Sequence, residues 1–413
     1  MENFVRPFAA LRPSQKYAAA VIAPPYDVIS ESEARALVRD HPHCFLRISR
    51  PEVDFPPDTN PYSDAVYAKG AENLERLRRL GILVHDPKPA YYIYQIQTDN
   101  HQQTGIALTA SVRAYDTNRI RKHELTTPAK ENDRVRNIEI LNAQTGPVLS
   151  VYKADEKIKQ LLKTSKANAP LFENIAQQGT THTVWRIDNA DTLTAMSQAF
   201  DAMETIYIAD GHHRSAAASK VSARRRAENP EASKHASHEY FLTVAFPHNE
   251  LKILNYNRVV KNLNGLSPKE LLKKLSVCFD VDTSENPVRP DSPTSYGMYL
   301  YGRWYQLRIH DNLKTEDPSA GLDITLLQKH LIEPLLGIDD PRTDPRIDFI
   351  GGIQGQDKLK ELVDSGQWAV AFALHPTSMD QLMAVADAEE LMPPKSTWFE
   401  PKLADGLLSH LLD

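Results

Sequence analysis

Between residues 206 and 220 the chain reads IYIADGHHRSAAASK: a short apolar run, then Asp210, Gly211, His212, His213 and Arg214, then small residues and good helix formers. The apolar run reads as a buried strand and the segment after it as a helix. A strand that turns at a glycine into a helix makes an anion cradle, because unpaired N–H groups and the positive end of the helix dipole face the turn. Gly211 lets a ligand approach the backbone closely. His212, His213 and Arg214 offer donors suited to phosphate oxygens, and one of the two imidazoles is expected to carry a proton near neutral pH. Asp210 is suited to hold a metal ion, orient a histidine or bond a substrate amine. The plain alternative is a capping aspartate followed by solvated histidines. Five such residues in a row at a strand end weigh against it.

A second cluster is RKHELTTPAKENDR, residues 121–134, with His123, Glu124, Thr126, Lys130, Asp133 and Arg134 in a polar stretch expected to be a loop. Binding residues concentrate on loops, and a loop glutamate can act as a general base toward a substrate hydroxyl. The zinc-protease HExxH pattern is absent, since Thr127 stands where the second histidine would be. A third cluster, PPKSTWFEPK, sets Lys395, Ser396 and Thr397 in a row after two prolines: a cation and two hydroxyls, a fair set for phosphate, though without the glycines of a P-loop. NYNRVVK (Asn255, Tyr256, Arg258) and APPYDV (Tyr26, Asp27) read more simply as turns than as pocket walls.

The elements that must position these residues can be read along the chain. Ser30 with Glu33, Ser267 with Glu270 and Ser378 with Gln381 have capping-box spacing, each opening a helix. An amphipathic helix is expected from Tyr62 to Leu80, stopped by Gly81. AYYIYQIQTD and TGIALTASVRAYD predict two antiparallel strands joined by a polar turn. Strands and helices then alternate: a helix through RVRNIEILNAQ, the strand VLSVYKA, the helix EKIKQLLKTSK, the strand HTVWRID and the helix DTLTAMSQAFDAM lead to IYIAD. Farther on, GMYLYG and WYQLRI predict a hairpin turning at Gly302 and Arg303, and LDITLLQKHLIEPLL a strong amphipathic helix. The expected division is an N-terminal extension over 1–90, a core over 91–262 and a C-terminal α/β domain over 263–413.

Bulk composition narrows the function classes. The 413 residues are 41% hydrophobic and 25% charged, with a formal net charge of −6. That is an ordinary globular balance without the basic excess expected of a nucleic-acid or anionic-membrane binder. The two cysteines, Cys44 and Cys278, lie too far apart for a CxxC or zinc-ribbon pattern. With no apolar run near the ~20 residues of a membrane span, and no signal-peptide core, the expectation is a cytoplasmic protein.

Taken together, IADGHHR, RKHELTTPAKENDR followed by NAQTGPV, PPYDVIS near the start and MPPKSTWFEPK near the end resemble the bacterial proteins of domain-of-unknown-function family 1015, over nearly the whole chain. More distantly, the strand–DGHHR–helix unit is similar to the ParB/sulfiredoxin superfamily. Within it, the order His123-Glu124, then DGHHR, then Pro394-Lys395-Ser396-Thr397 resembles the free-serine kinases. The resemblance implies a mixed α/β (α+β) fold with a ParB/sulfiredoxin-like core and a C-terminal domain closing the site. It implies phosphoryl transfer from ATP, ADP or pyrophosphate to L-serine, giving O-phospho-L-serine. Glu124 would be the base, with Asp210 and His212 beside it in the catalytic set. His123, Thr126, Lys130, Arg134, Gly211, His213, Arg214, Lys395, Ser396 and Thr397 would bind phosphate or substrate. Mg²⁺ is the expected cofactor, with Asp210 its candidate ligand. The gap between Glu124 and Asp210 is longer than in those kinases, and the first ~90 residues have no counterpart in them. A ParB-like nucleotide-binding regulator without catalysis, or a phosphatase using the same pocket, are the alternative readings.

Overall fold

The structure, a computed structural model, describes residues 3–177, 179–231 and 233–412. The chain divides into two compact units, Met1–Leu251 with Pro401–Asp413, and Lys252–Glu400. This differs from the division expected at 90/91 and 262/263. Residues 1–90 are tied into the first unit by strand pairing, and the end of the chain returns to it.

The first unit is built on a mixed sheet. Its strands are β1 (Val5–Arg6), β2 (Tyr91–Gln97), β3 (Gln102–Ser111), β4 (Ile120–Arg121), β5 (Val148–Tyr152), β6 (Phe172–Gln177), β7 (Thr180–Ile187), β8 (Ile206–Asp210) and β9 (Tyr240–Pro247). They lie in the order β4-β8-β5-β9-β3-β2-β7-β6, with β1 beside β3. β8 runs parallel to β4 and β9 parallel to β5; the other pairs are antiparallel. β5 and β9 are buried along their whole length, as continuous apolar runs in a sheet interior should be. The expected second strand ends early: Ser111 caps a short helix, Val112–Asp116, by accepting from Ala114 N–H at 3.2 Å.

Two helices frame the site. α1 (Pro128–Leu141) starts earlier than expected, with proline at its first position, where a missing N–H costs nothing. Lys130, Asp133 and Arg134 are therefore helical rather than in a loop. α2 (His212–Glu228) follows β8 directly. A second, four-stranded sheet joins distant parts of the chain: Leu83–His85, Ala10–Pro13, Ser409–Leu411 and Ala143–Gln144 pair in that order. None of the described helices is long and apolar enough to cross a membrane.

The unit Lys252–Glu400 holds a six-stranded antiparallel sheet in the order Phe279–Ser284, Arg303–Ile309, Ser295–Leu300, Val370–Leu374, Tyr256–Val260, Ile347–Gly351. The hairpin forms as expected, one residue early: Tyr301 and Gly302 take the turn with positive φ, and Arg303 begins the return strand. The three capping boxes are all present. The helix expected through LDITLLQKHLIEPLL is interrupted: Asp323–Leu327 and Glu333–Leu336 are α-helical, and Gln328–Ile332 between them is a π turn. Pro334 has no N–H to give to the carbonyl four residues back, so the α ladder cannot run through.

Candidate active site

β8 ends at Asp210, and Gly211 turns the chain at φ +96°. A Cβ at 211 would lie 3.1 Å from Arg214 Nε and 3.3 Å from Val148 Cα. Both the backbone angle and the space therefore require glycine. The strand–turn–helix geometry is the one expected; the side chains are employed differently.

Asp210 is already engaged. Its Oδ1 accepts from Gly211 N–H at 2.8 Å, and its Oδ2 accepts from Lys402 Nζ at 3.2 Å, with the Arg214 guanidinium at 3.9 Å. Desolvation alone would raise its pKa. Lys402 and Arg214 outweigh that and hold the carboxyl well below the usual carboxylate range. The lysine sits far away in sequence and was not singled out there; FEPK offered no signal beyond its charge.

His212 is buried and faces back toward the first cluster. Its Nδ1 lies 3.9 Å from Glu124 Oε2, and its ring meets His123 at 4.5 Å between centroids and 87° between planes. His123 is buried too, beside the Ile208 backbone. Nε2 of His212 and both ring nitrogens of His123 are enclosed without a hydrogen-bond partner among the described residues. Burial pushes His123 down to about 4, and burial followed by the neighbouring His123 pushes His212 well below its ordinary value. His213 is also lowered, first by burial and then by Lys130. Burial of the three imidazoles thus works against the protonated histidine expected near neutral pH. His213 Nε2 accepts from Thr127 N–H at 3.1 Å, so this histidine caps α1 and links the starts of the two helices.

The cations are mostly matched already. Arg214 is largely buried, donates to the Pro147 carbonyl, and lies 3.7 Å from Asp27 Oδ2. Arg134 donates to Asp133 Oδ2 at 3.0 and 2.7 Å and stacks 4.0 Å over the Tyr26 ring. Thr126 gives its hydroxyl to Glu131 Oε2 at 2.8 Å. Lys130, exposed in the first turn of α1, faces solvent. Tyr26, Arg134, Gln144, Thr145, Arg214 and Asp405 line a small cavity. Asp405 is 2% exposed, its Oδ2 has no hydrogen-bond partner among the described residues, and burial pushes it up to about 7. Tyr26, read from sequence as part of a turn, is thus a wall of this cavity, and Asp27 beside it faces Arg214.

The third cluster lies in the other unit. Lys395 takes a left-handed backbone at φ +58°; its carbonyl accepts from Arg258 at 2.9 Å, and the Ser396 carbonyl accepts from Thr377 at 3.1 Å. The Ser396 hydroxyl donates to the Pro393 carbonyl, and Thr397 leads into the strand Trp398–Glu400.

The fold and the site define a mixed α/β protein with a histidine–carboxylate cluster at a strand–turn–helix. The chain belongs to the family described as protein of unknown function DUF1015, whose model matches residues 5–326. No curated protein matches it. Among solved structures it is similar to a free serine kinase in complex with AMP, at 11% identity, 71% of this chain, 86% of that chain and a TM-score of 0.38. It is also similar to a conserved hypothetical protein from Pyrococcus furiosus, at 11% identity, 73% and 94% coverage and a TM-score of 0.37. A third is SbnI with C-terminal truncation from Staphylococcus aureus, at 13% identity, 72% and 85% coverage and a TM-score of 0.39.

Proposed function

We propose that the protein is a phosphotransferase whose acceptor is the hydroxyl of free L-serine. The observation that carries this reading is the placement of Glu124. A half-exposed carboxylate stands 3.9 Å from a buried imidazole, at the point where two helices begin side by side. Helix starts favour a phosphate through their unpaired N–H groups and dipoles, and Lys130 adds an exposed charge there. Glu124 accepts the proton of the serine hydroxyl as its oxygen bonds to phosphorus, and the bridging oxygen of the donor leaves with the electron pair. Such chemistry needs positioning and charge neutralisation more than covalent help. Arg214 and Lys402 act on Asp210, keeping the floor of the turn ionised and fixed.

Magnesium, expected at Asp210, finds a poor fit there. A hard dication wants several oxygens, and this carboxylate is held by Lys402 and the Gly211 amide. The ion is proposed instead as the companion of the donor, carried on phosphate oxygens and water, and no step is derived through it.

The test is phosphorus NMR on purified protein with Mg²⁺, L-serine and ATP, ADP or pyrophosphate in turn. Phosphoserine from at least one donor is expected, and Glu124→Gln should lower its formation by about 10²–10⁴-fold while donor binding survives. Wild-type turnover in that variant would remove Glu124 as the base. Inorganic phosphate without phosphoserine would assign the pocket to hydrolysis.

A further inference from the structure

The nitrogens left over in this site point to something besides phosphate. His123, Glu124 and His212 each offer one ligating atom, and the three atoms lie within 4.8 Å of one another. The two imidazoles are 1% and 6% exposed, crossed at 87°. Three of their four ring nitrogens are enclosed without a hydrogen-bond partner among the described residues. Buried polar atoms are almost always partnered. Two crossed imidazoles with unpartnered nitrogens, one of them turning Nδ1 toward a carboxylate, call for a partner that is not protein.

We infer that His123, Glu124 and His212 bind a divalent first-row transition metal through two imidazole nitrogens and one carboxylate oxygen. Imidazole selects zinc and its neighbours over magnesium, which prefers oxygen. Two histidines and one carboxylate also leave a fourth tetrahedral position for water or a substrate oxygen, the pattern of catalytic rather than closed structural sites. Bonds of about 2.0–2.2 Å place ligand atoms roughly 3.4 Å apart, so the trio has to close by about an ångström. Glu124, half exposed on its loop, is the ligand that would shift. This goes beyond the phosphotransfer reading and bears on it: a bound dication would convert Glu124 from a proton acceptor into a ligand.

The experiment uses the full chain, stripped with a chelator and titrated with Co²⁺, with no donor or acceptor present. Expected is one equivalent of Co²⁺ with the visible absorption of a tetrahedral centre, displaced by Zn²⁺ and not by excess Mg²⁺. Glu124→Gln and His212→Gln should each weaken binding by at least about 100-fold, more than the loss of an outer-shell partner costs. His213→Ala, next in the chain but bonded to Thr127, should leave it unchanged. Glu124 is half exposed, so its variant keeps the fold, checked by circular dichroism, and decides the matter even if the histidine variants do not fold. No cobalt spectrum, or binding that survives Glu124→Gln, overturns the inference. A protein that binds Co²⁺ but makes no phosphoserine sinks the kinase reading alone; one that makes phosphoserine but binds no Co²⁺ sinks the metal site alone.

Discussion

The two units each enclose an arginine, one largely and one fully, and they treat it in opposite ways. Arg214, in the unit with the DGHHR turn, is surrounded by carboxylates: Asp27 at 3.7 Å, Asp210 at 3.9 Å, and Asp405 across the cavity. Burial would lower its pKa, but Asp27 and Asp210 outweigh burial and raise it. Arg258, in the other unit, has no carboxylate within ion-pair reach among the described residues. It donates to the carbonyls of Tyr256, Asn257 and Lys395 and lies 4.4 Å over the Phe349 ring. Burial pushes it down to about 9. The first guanidinium is a counter-ion that lets acids gather at a site. The second is a clamp that holds the PPKST loop by its backbone.

That contrast can be broken or sharpened by measurement. Arg214→Met leaves its acids facing one another without their cation and should cost about 3–5 kcal/mol in denaturant unfolding. Arg258→Met removes a buried charge along with its bonds and should cost less, about 1–3 kcal/mol. Equal losses would mean that the carboxylates do not set Arg214 apart.

Asp405 sharpens the same point through pH. The unfolded chain loses this proton near 3.8 and the folded chain near 7, so the native state binds more protons between those values. Stability therefore falls as pH rises from about 4 to about 7 and is level above, by on the order of 1–3 kcal/mol. Asp405→Asn should flatten that decline in unfolding curves taken across the window. A decline that persists in the variant would have to come from another acid. Smallest is Lys402→Met. Its partner Asp210 is about a third exposed and keeps Arg214, so the loss should be about 0.5–1 kcal/mol. A loss well above that would make Lys402 the principal cation of the turn.

Local chemistry was legible in the sequence where it depended on neighbours in the chain. IYIADGHHR announced a strand, a glycine turn and a helix, and the three capping boxes announced their helices, because hydrogen bonds three residues apart leave a spacing to read. What the side chains do was less legible. His213 as a helix cap, Asp210 as the partner of Lys402, Tyr26 as a cavity wall and Asp27 as a partner of Arg214 all depend on residues that meet only after folding. The start of α1 was missed because a run of polar residues hid a proline-initiated helix. The unit boundaries were missed for a different reason: a domain made of two separated stretches has no compositional seam.

The strand Ser409–Leu411 lies between Ala10–Pro13 and Ala143–Gln144, and the segment leading to it carries Lys402 and Asp405. On the ribosome these residues emerge only after all of 252–400 has been made. The partner of Asp210 and the middle strand of the small sheet therefore reach the first unit only after the whole intervening unit has been synthesised.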